Sequence, residues 1–491
     1  MEFENIVQFL ENKAILVTGV TGFLAKVFIE KILRVQPNVK KLYLLLRASD
    51  DISASERFHN EVMNMELFRV VKEKLGENLS SIFTKKIKII CGDVGSEDLG
   101  IKDSSLKEEM KNELDFVLNF AATTKFDERY DVAFGTNTMG AKNVVCFAKT
   151  CPKLKLLVYL STAYVCGVKS GLIQESPYNL NEPHNGISGL DINEENDLID
   201  KKVEELRAQK VTEAESRDAM KELGMKRAEK YGWPNTYVFT KFMGEMIIQY
   251  LKENLPVIII RPTIISSTYK EPFPGWTEGL RTIDAFIVGV GKGKMKFVAI
   301  DLAAIVDVIP VDMVVNAIVV AMVANANKPY SNGIYHVGSS SRNPVRYCDL
   351  KDYTYHYFTN KPCLGKNGKP IKFSKPIILN SKARFHRYLA IHYMPLLKGL
   401  KLVNRIFCHQ FENMYKTLDK KIKFVIRLVD LYSPYLFFHG RFDDSNINKL
   451  LKSTKGNGVK IDTFYFDVKC IDWDDYFVNT HIPGLLEYVM V

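Results

Sequence analysis

Apolar, β-branched runs alternate with helix-like stretches through the first two thirds of the chain. Ala14–Thr18, Lys41–Arg47, Lys86–Cys91, Phe116–Ala121, Leu156–Ser161 and Val257–Arg261 read as strands, with a later one at Ile334–Val337. The runs are continuously apolar rather than alternating, which marks strands covered on both faces. Separated by helices, such strands form a parallel sheet. Asp191–Lys230, charged and helical, is too long for a loop and is expected to be an insertion that caps the site. Met313–Ala324 is apolar but shorter than a membrane span and contains Asn316, so it reads as a buried helix.

After Pro370 the pattern changes. Cations interleave with aromatic and aliphatic residues over Arg384–Phe411 and again over Lys416–Leu436. Lys382–Lys423 holds ten lysines and arginines against Glu412 and Asp419. Phe464–Val491 is aromatic and acidic. A boundary is expected near residue 380, giving units 1–380 and 381–491.

The turn after the first strand, Thr18-Gly19-Val20-Thr21-Gly22-Phe23-Leu24-Ala25, makes the sheet a doubly wound dinucleotide fold of the Rossmann type. Gly19 permits the tight turn, Gly22 lets backbone approach phosphate, and Ala25 lets the following helix pack closely. Free N–H groups at that helix start attract a diphosphate. The spacing Gly19-x-x-Gly22-x-x-Ala25 matches short-chain dehydrogenase/reductase folds. Arg47 stands at the end of the second strand, where an NAD enzyme usually has an acid; a cation suits a 2′-phosphate and favours NADPH. Thr18, Thr21, Phe23 and Leu24 belong to the cofactor turn. Asp93 follows the third strand and is expected to accept from an adenine amino group. Asn119 and Ala121 end the fourth strand beneath the cofactor, and Asn137 is expected to brace the backbone there.

Tyr237-Val238-Phe239-Thr240-Lys241 places a phenol and an ammonium four residues apart, on one face of a helix. Hydride delivery to a carbonyl leaves charge on oxygen, so an acid must stand nearby. Tyr237 supplies that proton, and Lys241 is expected to lower its pKa and hold the nicotinamide ribose. Ser161 and Thr162 end the fifth strand; Thr162 is favoured as oxyanion donor, with Ser161 second. The histidines form no H-x-x-x-H pair, and no G-x-S-x-G elbow is present. Eight scattered cysteines without C-x-x-C point to a reducing compartment and no zinc site. The net charge of +10 comes without a nucleic-acid-binding signature. Met1–Asn5 carries acids where a signal or transit peptide would not.

The chain resembles plant alcohol-forming fatty acyl-CoA reductases from end to end. The likeness rests on Val17–Ala25, Tyr43-Leu44-Leu45-Leu46-Arg47, Ala121–Asp131, Tyr237–Lys241, Arg261–Ile265, Glu271–Trp276 and Tyr435–Asp444. It implies an extended short-chain dehydrogenase/reductase fold with a mainly helical C-terminal domain. It also implies reduction of long- or very-long-chain acyl-CoA by two NADPH to a primary alcohol through a retained aldehyde, for wax- or suberin-type lipids. Without the plastid extension of one branch, the resemblance favours the cytosolic face of the endoplasmic reticulum. The basic C-terminal block suits an interfacial helix on an anionic membrane, a solvated face, or attraction of CoA phosphates. The segment Pro272–Trp276 reads as either a lid or a structural turn. Three rivals remain: a reductase stopping at aldehyde, another extended dehydrogenase or epimerase, and a non-catalytic NADP-binding scaffold at a membrane.

Overall fold

Seven parallel strands form the central sheet: β1 Ala14–Thr18, β2 Lys41–Leu46, β3 Ile87–Cys91, β4 Phe116–Asn119, β5 Leu156–Leu160, β6 Val257–Pro262 and β7 Asn332–Val337. They lie in the order β7-β6-β5-β4-β1-β2-β3. Each is a strand read from the sequence, shifted by no more than two residues at either end. The structure, a computed structural model, describes residues 6–490 other than 181, 184, 329–330, 366, 372–374 and 456–460. The acidic N-terminal pattern, Met1–Asn5, lies outside the described residues.

Apolar layers cover both faces of the sheet. Ile15, Val17, Leu44, Leu118, Val158 and Ile260 point into one apolar layer. It is shared with α1, Phe23–Val35, and with a later helix, Val311–Asn325. Leu16, Leu45, Val117, Leu157 and Ile259 point into the other. The strand order reverses between β1 and β4, and the crevice beyond their carboxyl ends is where doubly wound folds bind ligands.

The charged block folds as two helices, α2 Ile192–Ala208 and α3 Glu213–Lys230. Asp191 caps α2 through the Asn193 amide at 2.7 Å, and Thr212 with Glu215 forms a capping box on α3. The pair flanks the next helix, α4 Thr236–Leu251, with Gly224 close against Thr236. Met313–Ala324 does lie within a wholly buried helix, now α5, Val311–Asn325. Pro272–Trp276 is built into the body: Trp276 is buried and stacks on Phe23, ring centroids 5.3 Å apart.

The basic region forms three helices, α6 Lys382–His392, α7 Met394–Ile406 and α8 Glu412–Leu436. The chain then returns to the body and forms a separate two-stranded sheet. Gly440–Phe442 pairs with Gly171–Ile173, and Tyr476, Phe477 and Ile482 sit in the same apolar layer as α1. Among the described residues, no helix is long and apolar enough to cross a membrane.

Candidate active site

A cavity of about 970 Å³ opens at the carboxyl edge of the sheet. Gly19, Thr21, Gly22, Phe23 and Leu24 form one wall, and Ser161, Thr162, Tyr237 and Lys241 another. A smaller cavity of about 190 Å³ continues over Gly19 and Gly22 to Arg47, Asp93 and Ala121. Thr18 and Asn119 lie behind these walls. Thr18 Oγ1 donates to Asn119 Oδ1 at 2.7 Å and accepts from the Ala121 amide at 3.1 Å, clamping β1 to β4. Gly19 has φ +68, and a Cβ there would stand 2.6 Å from the Ala121 nitrogen, so no larger residue fits this close approach.

Tyr237 and Lys241 share α4, whose start is fixed by Asn235. The Asn235 side chain accepts from the Val238 amide at 3.1 Å and donates to the Tyr435 hydroxyl of α8 at 2.7 Å. The Tyr237 ring stacks on Phe126, centroids 6.2 Å apart. Asn137 lies in a π-helical turn, Phe134–Met139. It braces the backbone as expected: its amide accepts from Thr123 N–H at 3.0 Å and donates to the Thr123 carbonyl at 3.1 Å and Thr240 Oγ1 at 3.0 Å.

One electrostatic expectation is corrected. Lys241 Nζ donates to the Leu160 carbonyl at 2.6 Å and lies 4.1 Å from the Tyr159 ring centre. Burial pulls Lys241 down to about 7 while Glu245 opposes it, and burial pushes the Tyr237 phenol up. Burial therefore works against the lowering of the Tyr237 pKa expected from Lys241, because the same dry surroundings disfavour the lysine's own charge. The phenol stays protonated, which is the form a proton donor requires. Ser161 Oγ is buried with no hydrogen-bond partner, whereas Thr162 Oγ1 accepts from the Tyr164 amide at 3.3 Å.

The cavity suits a dinucleotide. The N-cap of α1, Gly22, offers no side-chain cap, so the first amides of α1 keep their affinity for an anion. A profile described as "Male sterility protein", a nicotinamide-dinucleotide-binding unit, matches residues 17–318, and a second with the same description matches residues 391–491. An alcohol-forming fatty acyl-CoA reductase from Simmondsia chinensis is 51% identical over 490 residues, all of this chain and 99% of that one. The chain belongs to the plant fatty acyl-CoA reductase family. A probable fatty acyl-CoA reductase 4 of Arabidopsis thaliana is likewise 51% identical, with 99% of each chain covered. The reductase domain of a non-ribosomal peptide synthetase from Mycobacterium tuberculosis has the same fold (TM-score 0.57, 17% identity, 99% of this chain and 96% of that one). The family is one of oxidoreductases that use a nicotinamide cofactor.

Three contributors to this reductase site escaped the sequence reading. Arg57 lines the smaller cavity beside Arg47, donating to the Arg47 carbonyl and pairing with Glu61 at 2.7 Å. Arg281 lies with its guanidinium 3.8 Å from the Phe23 ring centre, and its hydrogen bonds go to the Glu278 carbonyl. Burial holds it below the ordinary arginine range, against Asp284 and Glu278. Its loop is held over the glycine turn by Lys26, which pairs with Glu278 at 2.6 Å. Phe424, Leu428, Leu431, Tyr432 and Tyr435 of α8 close the last wall. The clue to α8 was its aromatic spacing, but nothing local told which face met the cavity.

Proposed function

We propose that the protein reduces long- or very-long-chain acyl-CoA to the primary alcohol with two NADPH, releasing CoA. The reading rests chiefly on one observation: Ser161, Thr162, Tyr237 and Lys241 wall the same cavity as the glycine turn. NADPH, when bound, supplies the hydride. Arg47 and Arg57 would hold its 2′-phosphate, and the α1 amides with Arg281 its diphosphate.

As hydride reaches the thioester carbonyl, the hydroxyls of Thr162 and Ser161 and the phenol of Tyr237 donate to the developing oxyanion. Collapse of the hemithioacetal expels CoA thiolate, a competent leaving group. The aldehyde stays in the cavity, and Tyr237 then protonates the alkoxide formed in the second reduction. Lys241 would orient the cofactor ribose from its place beside Tyr237. The apolar α8 wall accommodates the acyl chain.

The chain divides near residue 380 on this reading, just before α6. That region is taken to rest on the cytosolic leaflet of the endoplasmic reticulum. Large apolar side chains there face outward, among them Leu396, Leu402 and Ile406, each at least 60% exposed. With the surrounding lysines they suit an anionic interface. Loss of co-flotation with phosphatidylserine vesicles after Leu402→Asp and Ile406→Asp supports this; flotation unchanged contradicts it. The chemistry is tested by extracting lipid after incubation with NADPH and a panel of saturated acyl-CoAs. Primary alcohol supports the reading, and unchanged thioester throughout the panel contradicts it.

A further inference from the structure

The cavity rim carries a cluster of charges that the hydride chemistry does not use. Lys125 and Asp127 belong to the segment after β4, Lys221 to α3 and Arg427 to α8, and all four line the cavity. Arg427 donates to the Asp127 carboxylate, and Lys221 Nζ stands 3.9 Å from the same oxygen. Lys125 Nζ lies 3.4 Å from Glu128, which turns inward to the Arg129 amide at 3.0 Å. Three cations from three distant segments thus meet at two carboxylates, one of them shared.

Folding energy does not account for this convergence. Arg427 is 55% and Lys125 75% exposed, and exposed ion pairs contribute little to stability. Their chemistry instead suits a phosphate: a planar guanidinium fork with two ammonium groups beside it. Phe126 links this corner to the chemistry. Its ring stacks on Tyr237 and lies 5.3 Å from Tyr432 and 5.0 Å from Tyr435, continuous with the apolar wall of α8.

We propose that Lys125, Lys221 and Arg427 bind the phosphate groups of the coenzyme A nucleotide, and that Asp127 holds two of these cations in place until phosphate displaces it. The pantetheine arm then runs past Phe126 toward Tyr237. This assignment rests on the acyl-CoA reading above.

The test compares two thioesters of one acyl chain, the CoA ester and the pantetheine ester, which lacks the nucleotide and all its phosphates. Arg427→Gln and Lys221→Gln are each expected to raise KM for acyl-CoA about tenfold, with KM for acyl-pantetheine moving less than twofold. Asp127→Asn is expected to lower KM for acyl-CoA, a gain that a merely structural carboxylate would not give. Equal KM increases for both esters, or an unchanged KM for acyl-CoA in the Lys125/Lys221/Arg427 triple glutamine variant, would overturn the assignment. So would loss of binding to phosphatidylserine vesicles by the triple variant with KM for acyl-CoA intact, which would give the cations to lipid phosphate. Wild-type protein inert toward both esters would overturn the acyl-CoA reading itself, and this assignment with it.

Discussion

The ammonium of Lys241 lies 2.6 Å from the carbonyl oxygen of Leu160. This bond ties the middle of α4 to the end of β5, one residue before Ser161. It fixes the separation between the two halves of the catalytic group: Tyr237 one helical turn before the lysine, Ser161 and Thr162 just beyond the strand.

Tyr237→Phe removes the proton donor but keeps the ring that stacks on Phe126. It should cut kcat about 10²–10⁴-fold, with NADPH binding by fluorescence titration retained. Thr162→Val should cost about 10²-fold in kcat. Wild-type turnover in Tyr237→Phe would remove this residue from the mechanism.

Lys241 sets a pH dependence. Its value of about 7 in the folded chain lies below the ~10.4 of an unfolded lysine, so between these values the unfolded state binds more protons. Stability therefore rises with pH across that window. A phosphate-bearing cofactor favours the charged form, so NADPH affinity should be flat below pH ~7 and fall above it, with proton uptake on binding at alkaline pH. Calorimetry in buffers of different ionisation enthalpy measures that proton, and Lys241→Met should abolish it.

The arginines separate two parts of the cofactor. Arg47→Gln and Arg57→Gln should weaken NADPH about tenfold each while sparing NADH, since only NADPH carries the 2′-phosphate. Arg281→Gln should weaken both dinucleotides by similar factors, because both carry the diphosphate. Fluorescence titration with each reduced cofactor gives the ratio directly.

Much of this arrangement was legible in the sequence because it is local. The seven strands announce themselves by uninterrupted apolar runs, and Gly19, Gly22, Tyr237 and Lys241 lie in fixed positions relative to them. Asn137 could be placed because it falls one helix beyond Asn119. What was hidden depends on how the chain folds back, over short spans as well as long ones. Arg57 reaches the second-strand end by folding back from the following helix. Arg281 arrives on a loop steered by the Lys26–Glu278 pair, 252 residues apart in the chain. The return of Gly440–Phe442 to Gly171–Ile173 has no local signature, since three-residue strands carry no periodicity. The inverted electrostatics of Tyr237 and Lys241 depend on burial that adjacent residues in sequence do not reveal.

Behind the site, Arg261 and Glu245 form a fully buried pair, Nη2 to Oε2 at 2.5 Å, with Arg261 also donating to the Ser176 carbonyl at 3.0 Å. Glu245→Gln keeps the shape and leaves the guanidinium uncompensated, so it should destabilise by about 3–5 kcal/mol. The double variant Glu245→Gln, Arg261→Met should recover much of that loss. Urea denaturation of the single and double variants checks both statements.

A four-electron reduction in one cavity is measured most directly by its stoichiometry. Purified protein is given a limiting long-chain acyl-CoA, and NADPH oxidised, CoA released and lipid product are counted together. Two NADPH consumed per CoA, with primary alcohol as the product, is the predicted result. One NADPH per CoA with aldehyde accumulating would contradict it and make the protein an aldehyde-forming reductase.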